Sequence, residues 1–229
     1  MKQFFSIAEV GGLVAVPAVL IACAYFQIEQ AALLTLFVVL VALALFFGGF
    51  EAQRPALRQI MPTVVLAALA SAGRILFALV PDFKPVSAIC IIAGVVFGKR
   101  CGFMVGALAA LCSNFFFGQG PWTPWQMYAW GLIGYLSGVA AQHFELNNSS
   151  VLVGGFFSAL LYGLVLNSWY VVGYINPLTV PGALAAYGAG LPFDVVHGIA
   201  TVVFLSALFV PWRRKLERIK RKYSLQGYS

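Results

Sequence analysis

The sequence has 229 residues, of which 62% are hydrophobic and only 9% are charged. Soluble domains carry about 25% charged residues, so this composition excludes an ordinary soluble protein and predicts a helical membrane protein with several spans. The net charge of +7 does not indicate a nucleic-acid groove, because seven of the 14 basic residues lie between Arg213 and Lys222, after the last apolar run. Such a cluster is typical of a cytoplasmic flank.

Eight apolar segments follow one another along the chain, separated by short polar or proline-containing turns. Pro17 lies inside the first segment, where we expect it to kink the helix. The fourth segment is short, since a straight span needs about 20 residues. Residues 175–192, between the last two segments, carry several prolines and glycines and are predicted to be irregular. The segments are 11–26, 31–50, 61–80, 86–97, 102–117, 125–141, 151–174 and 193–212.

Lysine and arginine determine the predicted orientation, because they accumulate in cytoplasmic turns. If the basic tail is cytoplasmic, Lys84 is the basic residue that falls in a predicted outer turn. Both termini then lie in the cytoplasm, and we expect a multi-pass protein of the cell (cytoplasmic) membrane. The outer turns of the last six spans are 81–85, 118–124 and 175–192, and the inner basic residues before the tail are Lys2, Arg54, Arg58, Lys99 and Arg100.

Residues 115–131 form the most unusual stretch, in which aromatic and amide side chains surround a turn rich in glycine and proline. Gly118, Gly120, Pro121 and Pro124 are expected to break a helix. The stretch could be a lid over a ligand or an aromatic anchor at the membrane surface. Its predicted position on the outer side, beside two other proline-rich turns, favours the lid.

Polar residues within the apolar segments are costly in a bilayer and therefore indicate function or pairing. Arg74 could snorkel, pair with Asp194 or hold an anionic ligand, and we favour the pair. Asp194 could be stabilised by a helix N-terminus or could bond a ligand or a loop. His197 follows Asp194 by three positions, so the two side chains share one face of a helix. Asn114 and Asn167 lie near aromatic residues, so each could fix the polar edge of a flat organic ligand or bond to a neighbouring helix.

The sequence contains no motif of a catalytic or metal site. It lacks a GxxxxGK[ST] phosphate loop, a GxSxG or HExxH motif and a pair of carboxylates. Its four cysteines show no CxxC spacing, which indicates neither a metal site nor a disulfide framework. We therefore expect no enzymatic activity, no cofactor and no metal; Asp194 with His197 comes closest to a reactive cluster.

Small residues recur at a spacing of four in several segments, as they do where helices pack closely in membranes. The dense alanine patch that includes Ala68 and Ala72 could be packing within the bundle or a face for another protein's helix. The remaining repeats predict contacts inside the bundle; they are Gly94/Gly98, Gly102/Gly106/Ala110 and Gly134/Gly138.

Four stretches resemble the substrate-binding S components of energy-coupling factor (ECF) vitamin transporters: AGRILFALVPDFKPV at 72–86, GVVFG at 94–98, SNFFFGQGPWTPWQM at 113–127 and LPFDVVHG at 191–198. The resemblance implies a six-helix bundle, at 55–212, within an all-α polytopic membrane protein. Two additional transmembrane helices at 1–54 precede this bundle, and a basic cytoplasmic tail follows it at 213–229. It also implies a subunit that binds a vitamin or related micronutrient at the outer face. Such a subunit docks on a coupling transmembrane subunit, works with two ATPase subunits and tilts to release its cargo inside.

The resemblance also suggests partner and ligand contacts. Ala68 and Ala72 match the small-residue surface that meets the coupling subunit. The outer lids would contain Phe83 and Lys84 in the first, 119–125 in the second and Asn176 in the third. Taken with the residues singled out above, the expected substrate-binding set is Phe83, Lys84, Asn114, Phe117, Gln119, Trp122, Trp125, Asn167, Tyr170, Asn176 and Asp194.

The aromatic turn and the modest charge favour a bulky, mostly uncharged heterocycle as ligand. A cobalamin-type corrinoid is our first choice, followed by riboflavin or a queuosine-like base. The two extra N-terminal helices depart from the family pattern and could be an accessory element or a fused partner contact. Two alternatives stay open: a membrane-embedded enzyme using Asp194 and His197, such as a lipid-modifying acyltransferase, and a structural or regulatory membrane protein. In each case the environment is the lipid bilayer, and no nucleic-acid partner is expected.

Overall fold

Eight α-helices build the protein in a computed structural model that describes residues 2–28, 30–52 and 55–225. No strand occurs within these ranges, so the predicted all-α class is confirmed. Each predicted apolar segment corresponds to one helix, and Arg54 lies outside the described residues. The helices are α1 (Lys2–Phe26), α2 (Ala31–Glu51), α3 (Leu57–Leu76), α4 (Val86–Phe97), α5 (Lys99–Phe117), α6 (Trp122–His143), α7 (Asn148–Tyr174) and α8 (Val180–Lys222).

Six of the helices, α1, α2, α3, α5, α7 and α8, are long and apolar enough to cross a membrane. The 22-residue α6 is long enough but is not among the helices that meet the apolar criterion for a span. The 12 residues of α4 cover only about 18 Å, against a hydrocarbon core of about 30 Å. The predicted bounds of this short helix are confirmed at both ends. Pro85 precedes it, and Gly98, with a φ of 97°, ends it.

The last predicted segment is wrong in its bounds, because α8 begins at Val180 and runs without a break to Lys222. Thr179 caps the start by accepting a hydrogen bond from the Gly182 amide at 3.2 Å. Pro181 lies in the first turn, where no helical hydrogen bond needs its missing N–H. Residues 180–192 are therefore helical instead of irregular, and no structural break separates 55–212 from the tail before residue 222.

The aromatic turn is also shorter than predicted. Helix α6 begins at Trp122, so Pro124 stands in its first turn, where proline is tolerated. Only residues 118–121 connect α5 to α6, and Gly118 provides the turn with a φ of 97°, a region that favours glycine.

Glycines allow α4, α5 and α6 to form the centre of the bundle at very close range. A Cβ atom at Gly94 or Gly102 would collide with the backbone of Gly134, and one at Gly138 would collide with that of Lys99. These contacts confirm the predicted small-residue packing. Helices α7 and α8 pack on each other and on α4, whereas α3 packs on α4 and α5.

The α1–α2 pair is attached to the other side of this centre through a buried ion pair. Glu9 of α1 accepts a hydrogen bond from Arg100 Nε at 2.6 Å, and both residues are buried. The Tyr135 hydroxyl lies 3.5 Å from the second oxygen of Glu9, and a Cβ at Gly49 would collide with the carboxylate. Arg100, predicted as part of a basic inner turn, thus lies in the first turn of α5 and holds α1.

Candidate functional site: a polar cavity at one end of the bundle

Polar and aromatic side chains from four helices and one loop converge on a cavity of about 90 Å³. The loop between α3 and α4 supplies two charged side chains, and helices α3, α6, α7 and α8 supply the rest. The lining residues are Arg74, Asp82, Lys84, Gln126, Trp130, Tyr162 and His197, and α4 and α5 contribute partners behind this wall.

Arg74, from the end of α3, is held by neutral side chains. Its Nη1 donates to Ser113 Oγ and to Asn114 Oδ1, both at 2.6 Å. The guanidinium carbon lies 4.6 Å from the ring centre of Phe117 and 4.9 Å from that of Trp130. In the described part of the chain both hydrogen bonds use Nη1, which leaves the donors of Nε and Nη2 for a ligand.

The predicted pair of Arg74 with Asp194 is wrong. Within the described residues, the ion pairs are Glu9–Arg100 and Arg213–Glu217. Asp194 instead accepts a hydrogen bond from Asn167 Nδ2 at 3.3 Å across the α7–α8 contact. A Cβ at Gly163 would collide with the Asp194 carboxylate. Neither Asn167 nor Asp194 lines the polar cavity, so their contact is between helices.

Asn114 was expected to contact a ligand, but the oxygen and the nitrogen of its amide group are both hydrogen-bonded within the protein. It is fully buried, its oxygen accepts from Arg74, and its nitrogen donates to Thr123 Oγ1 at 2.9 Å and Gln126 Oε1 at 2.8 Å. Asn114 therefore orients Arg74 and joins it to the start of α6. Gln126 accepts with its oxygen, and its side chain also hydrogen-bonds to Tyr162, so it links Asn114 to the cavity wall.

The opposite wall contains a hydrogen-bonded chain of three residues. Trp130 Nε1 donates to Ser87 Oγ at 3.2 Å, and Ser87 Oγ lies 2.7 Å from His197 Nε2. An indole N–H can only donate, so the Ser87 hydroxyl is free to donate to a neutral His197. The Tyr162 ring stands between Trp130 and His197, with ring centres 4.7 Å and 5.1 Å away.

His197 and Asp194 do not form a dyad. His197 bonds to Ser87 on α4, whereas Asp194 bonds to Asn167 on α7. Although they are three positions apart on one helix, they have different partners, so the arrangement of Asp194 with His197 on which the enzyme alternative was built is not present. Within the described residues no group of three or more potential metal ligands comes together.

The α3–α4 loop closes one side of the cavity. Burial raises the pKa of the Asp82 carboxyl above its ordinary value, although Lys84 and Arg74 oppose this effect, and burial lowers the pKa of the Lys84 ammonium. Lys84 Nζ donates to the Val80 carbonyl at 2.6 Å. Phe83, between the two charges, packs on Phe204 of α8, with ring centres 5.4 Å apart.

The turn between α5 and α6 adjoins the cavity without lining it. Gln119 accepts from Thr123 Oγ1 at 2.8 Å and donates to the Leu111 carbonyl at 3.0 Å, which fixes the turn. Trp122 is partly exposed. Trp125 is fully buried and stacks on Trp169, with ring centres 6.0 Å apart.

The remaining expected positions lie on the surface. Tyr170 is exposed and stacks on Tyr174, and Asn176 is exposed after α7. Ala68 and Ala72 are also exposed, along one side of α3. Of the eleven expected substrate-binding residues, Lys84 lines the cavity, while Phe117 and Asn114 contact Arg74 from behind it.

A family model matches residues 54–218, which is most of the chain. The chain belongs to DUF6580, a family of unknown function. No solved structure matches it.

Every residue that lines the polar cavity lies within the DUF6580 region, and so do Ser87, Ser113 and Asn114 behind it. Helices α1 and α2 lie outside that region, and Glu9 reaches into it to bond Arg100. The cavity thus lies wholly within the matched region, and the α1–α2 pair precedes that region.

Six lining residues were absent from the expected ligand set: Arg74, Asp82, Gln126, Trp130, Tyr162 and His197. Arg74 and His197 stand out in the sequence as polar residues within apolar segments. Gln126 and Trp130 belong to the aromatic stretch that the sequence singled out, and Asp82 belongs to the proline-flanked turn. Tyr162 lies in an apolar stretch of α7, and no feature of its immediate surroundings in the sequence distinguishes it.

Proposed function

We propose that the protein is the substrate-binding subunit of an ECF-type importer in the cytoplasmic membrane, with both termini inside. In this proposal it captures a vitamin-like heterocycle in the polar cavity and passes it inward with a coupling subunit and two ATPases. The observation that carries the proposal is the convergence of the resembling stretches 72–86, 113–127 and 191–198 on one cavity.

The chemistry of the cavity favours a flat ligand with several hydrogen-bond acceptors. Arg74 and Lys84 outnumber the single carboxylate of Asp82, so the wall has an excess of donors and positive charge. Trp130, Tyr162 and His197 offer aromatic surfaces. Carbonyl oxygens and ring nitrogens of a heterocycle would complement this wall.

The size of the cavity bears on the choice of ligand. Sites for drug-sized ligands measure about 300–1,000 Å³, and 90 Å³ holds only part of such a molecule. The lids must therefore open for any vitamin, and by much more for a corrinoid. For this reason we rank riboflavin or a queuosine-like base ahead of the corrinoid.

A thermal-shift assay on the purified chain tests the proposal with riboflavin, a queuosine-like base and cobalamin. A ligand at 100 times its Kd stabilises the folded protein by about 2.7 kcal/mol. Arg74→Gln and Tyr162→Phe should weaken this stabilisation. Tyr170→Phe removes the same hydroxyl from the exposed part of α7 and should leave it intact.

Docking is tested separately with the coupling subunit and ATPases. Replacing Ala68 and Ala72 by Leu should impair co-purification but not ligand binding, whereas Ala207→Leu on the exposed side of α8 should affect neither. If no panel ligand stabilises the chain and no coupling subunit or ATPase co-purifies, the proposal is wrong.

A second candidate function is acyl transfer, favoured by the 2.7 Å contact between Ser87 Oγ and His197 Nε2. A hydroxyl beside an imidazole is the usual arrangement of an activated nucleophile. This candidate requires a turnover without ATPase partners that Ser87→Ala abolishes. Ligand binding without turnover would favour the transporter subunit.

A further inference from the structure

An apolar groove of about 500 Å³ lies at the other end of α3 and α8 from the polar cavity. It lies where the backbones of α3 and α8, within the described residues, do not approach each other closely. Phe97, the last residue of the short α4, also lines it. The side walls are Met61, Val65 and Leu69 of α3 and Leu216 and Ile219 of α8.

Basic and aromatic side chains line the groove together with the apolar residues. Arg58, from the first turn of α3, and Lys215, near the end of α8, both line the groove and are both exposed. Trp212 and Tyr223 line it as well, and such aromatic side chains favour the level of lipid headgroups. The groove is therefore amphipathic, with an apolar body and two cations.

We propose that this groove binds an anionic phospholipid, with an acyl chain along α3 and the phosphate near Arg58 and Lys215. Basic pockets between transmembrane helices are suited to such headgroups. A neutral lipid or an apolar helix would fill the groove but would leave both cations without a counter-charge. The proposal does not depend on the transport function, since it concerns the opposite end of the bundle.

The expected selectivity follows from the two cations. Each basic residue near an anionic headgroup strengthens binding about fivefold, so the two should favour phosphatidylglycerol over phosphatidylcholine by about 25-fold. Charges elsewhere on the tail should add little, because they do not line the groove.

Tryptophan quenching tests the proposal on the full-length protein in neutral detergent. Phosphatidylglycerol or phosphatidylcholine with identical dibrominated acyl chains is titrated in, and the same titration of Trp212→Phe is subtracted to isolate the groove. We expect phosphatidylglycerol to quench Trp212 at about 25-fold lower mole fraction. The Arg58→Gln/Lys215→Gln double variant should lose this preference.

The matched control is Arg214→Gln/Arg218→Gln, which removes two exposed charges from the same segment outside the groove lining. It should keep the preference. Equal quenching by both lipids in the unmodified protein would overturn the proposal, and so would an equal loss in the control variant. Absence of quenching by either lipid would also overturn it, because a protein segment or a second copy would then fill the groove.

Discussion

The stability of the folded protein should be especially sensitive to loss of the negative charge at Glu9. Its carboxylate lies 2.6 Å from Arg100 Nε, with side-chain exposures of 0% and 9% for Glu9 and Arg100. Glu9→Gln keeps the shape of the side chain but leaves a buried guanidinium without its counter-charge. Removing one partner of a buried pair costs about 3–5 kcal/mol, and we expect the lower end because the amide oxygen can still accept a hydrogen bond.

The assay is thermal unfolding in detergent, followed by tryptophan fluorescence. For a chain of this length each kcal/mol shifts the Tm by about 2–4 °C, so Glu9→Gln should lower it by about 6–12 °C. The control is Glu217→Gln, which breaks the pair with Arg213, whose side chains are 39% and 41% exposed. Exposed helix pairs contribute about 0.3–0.5 kcal/mol, so this shift should be about 1–2 °C.

A second variant separates charge from packing. Combining Glu9→Met with Arg100→Met removes both charges, and the Tm should lie well above that of Glu9→Gln, since apolar replacement of a whole buried pair is often neutral. If Glu9→Gln lowers the Tm no more than Glu217→Gln does, the pair is not shielded from water and the reasoning is refuted.

Two further predictions concern a glycine contact and the pH dependence of stability. Gly163→Ala should destabilise the protein by about 1–3 kcal/mol in the same unfolding assay, because the new methyl group collides with the Asp194 carboxylate. The control is Gly154→Ala on the same helix, whose methyl group would meet no atom within 4 Å; it should be neutral or slightly stabilising. Asp82→Asn should raise the Tm at pH 7, because burial raises the pKa of this carboxyl and the folded state therefore favours its neutral form. The contribution of Asp82 to stability is fully present below its unfolded pKa of about 3.9 and is lost as the pH rises, so the gain from Asn should shrink as the pH falls to about 4; a gain that does not change with pH would contradict this assignment.

The fold class and the number of helices could be predicted because apolar content and turn residues are local signals. The bounds of α4 were correct because proline and a left-handed glycine mark its two ends. The start of α8 was not predicted, since Pro181 and Pro192 look like breakers when read alone. In the structure, a Thr179 cap and the first-turn position of Pro181 allow the helix to begin there.

The region of the candidate site could also be predicted, but its lining could not. Arg74 hydrogen-bonds to Asn114, which is 40 positions away in the sequence, and Ser87 hydrogen-bonds to His197, which is 110 positions away. Which side chain lines a cavity depends on the rotation of each helix about its axis. That rotation is set by packing such as the glycine contacts of Gly94 and Gly134, and no single segment specifies it.

The position of the α1–α2 pair bears on the proposed docking. Within the described residues these two helices pack on each other and on α5, α6 and α7, whereas α3 packs on α4 and α5 and contacts α6 through Arg74 and Trp130. The side of α3 that carries Ala68 and Ala72 is therefore left open by the additional helices. Because Glu9 ties α1 to Arg100 inside the bundle, a tilting movement would carry all eight helices together. The extra pair is thus compatible with a partner at α3, and the two would occupy different sides of the same moving body.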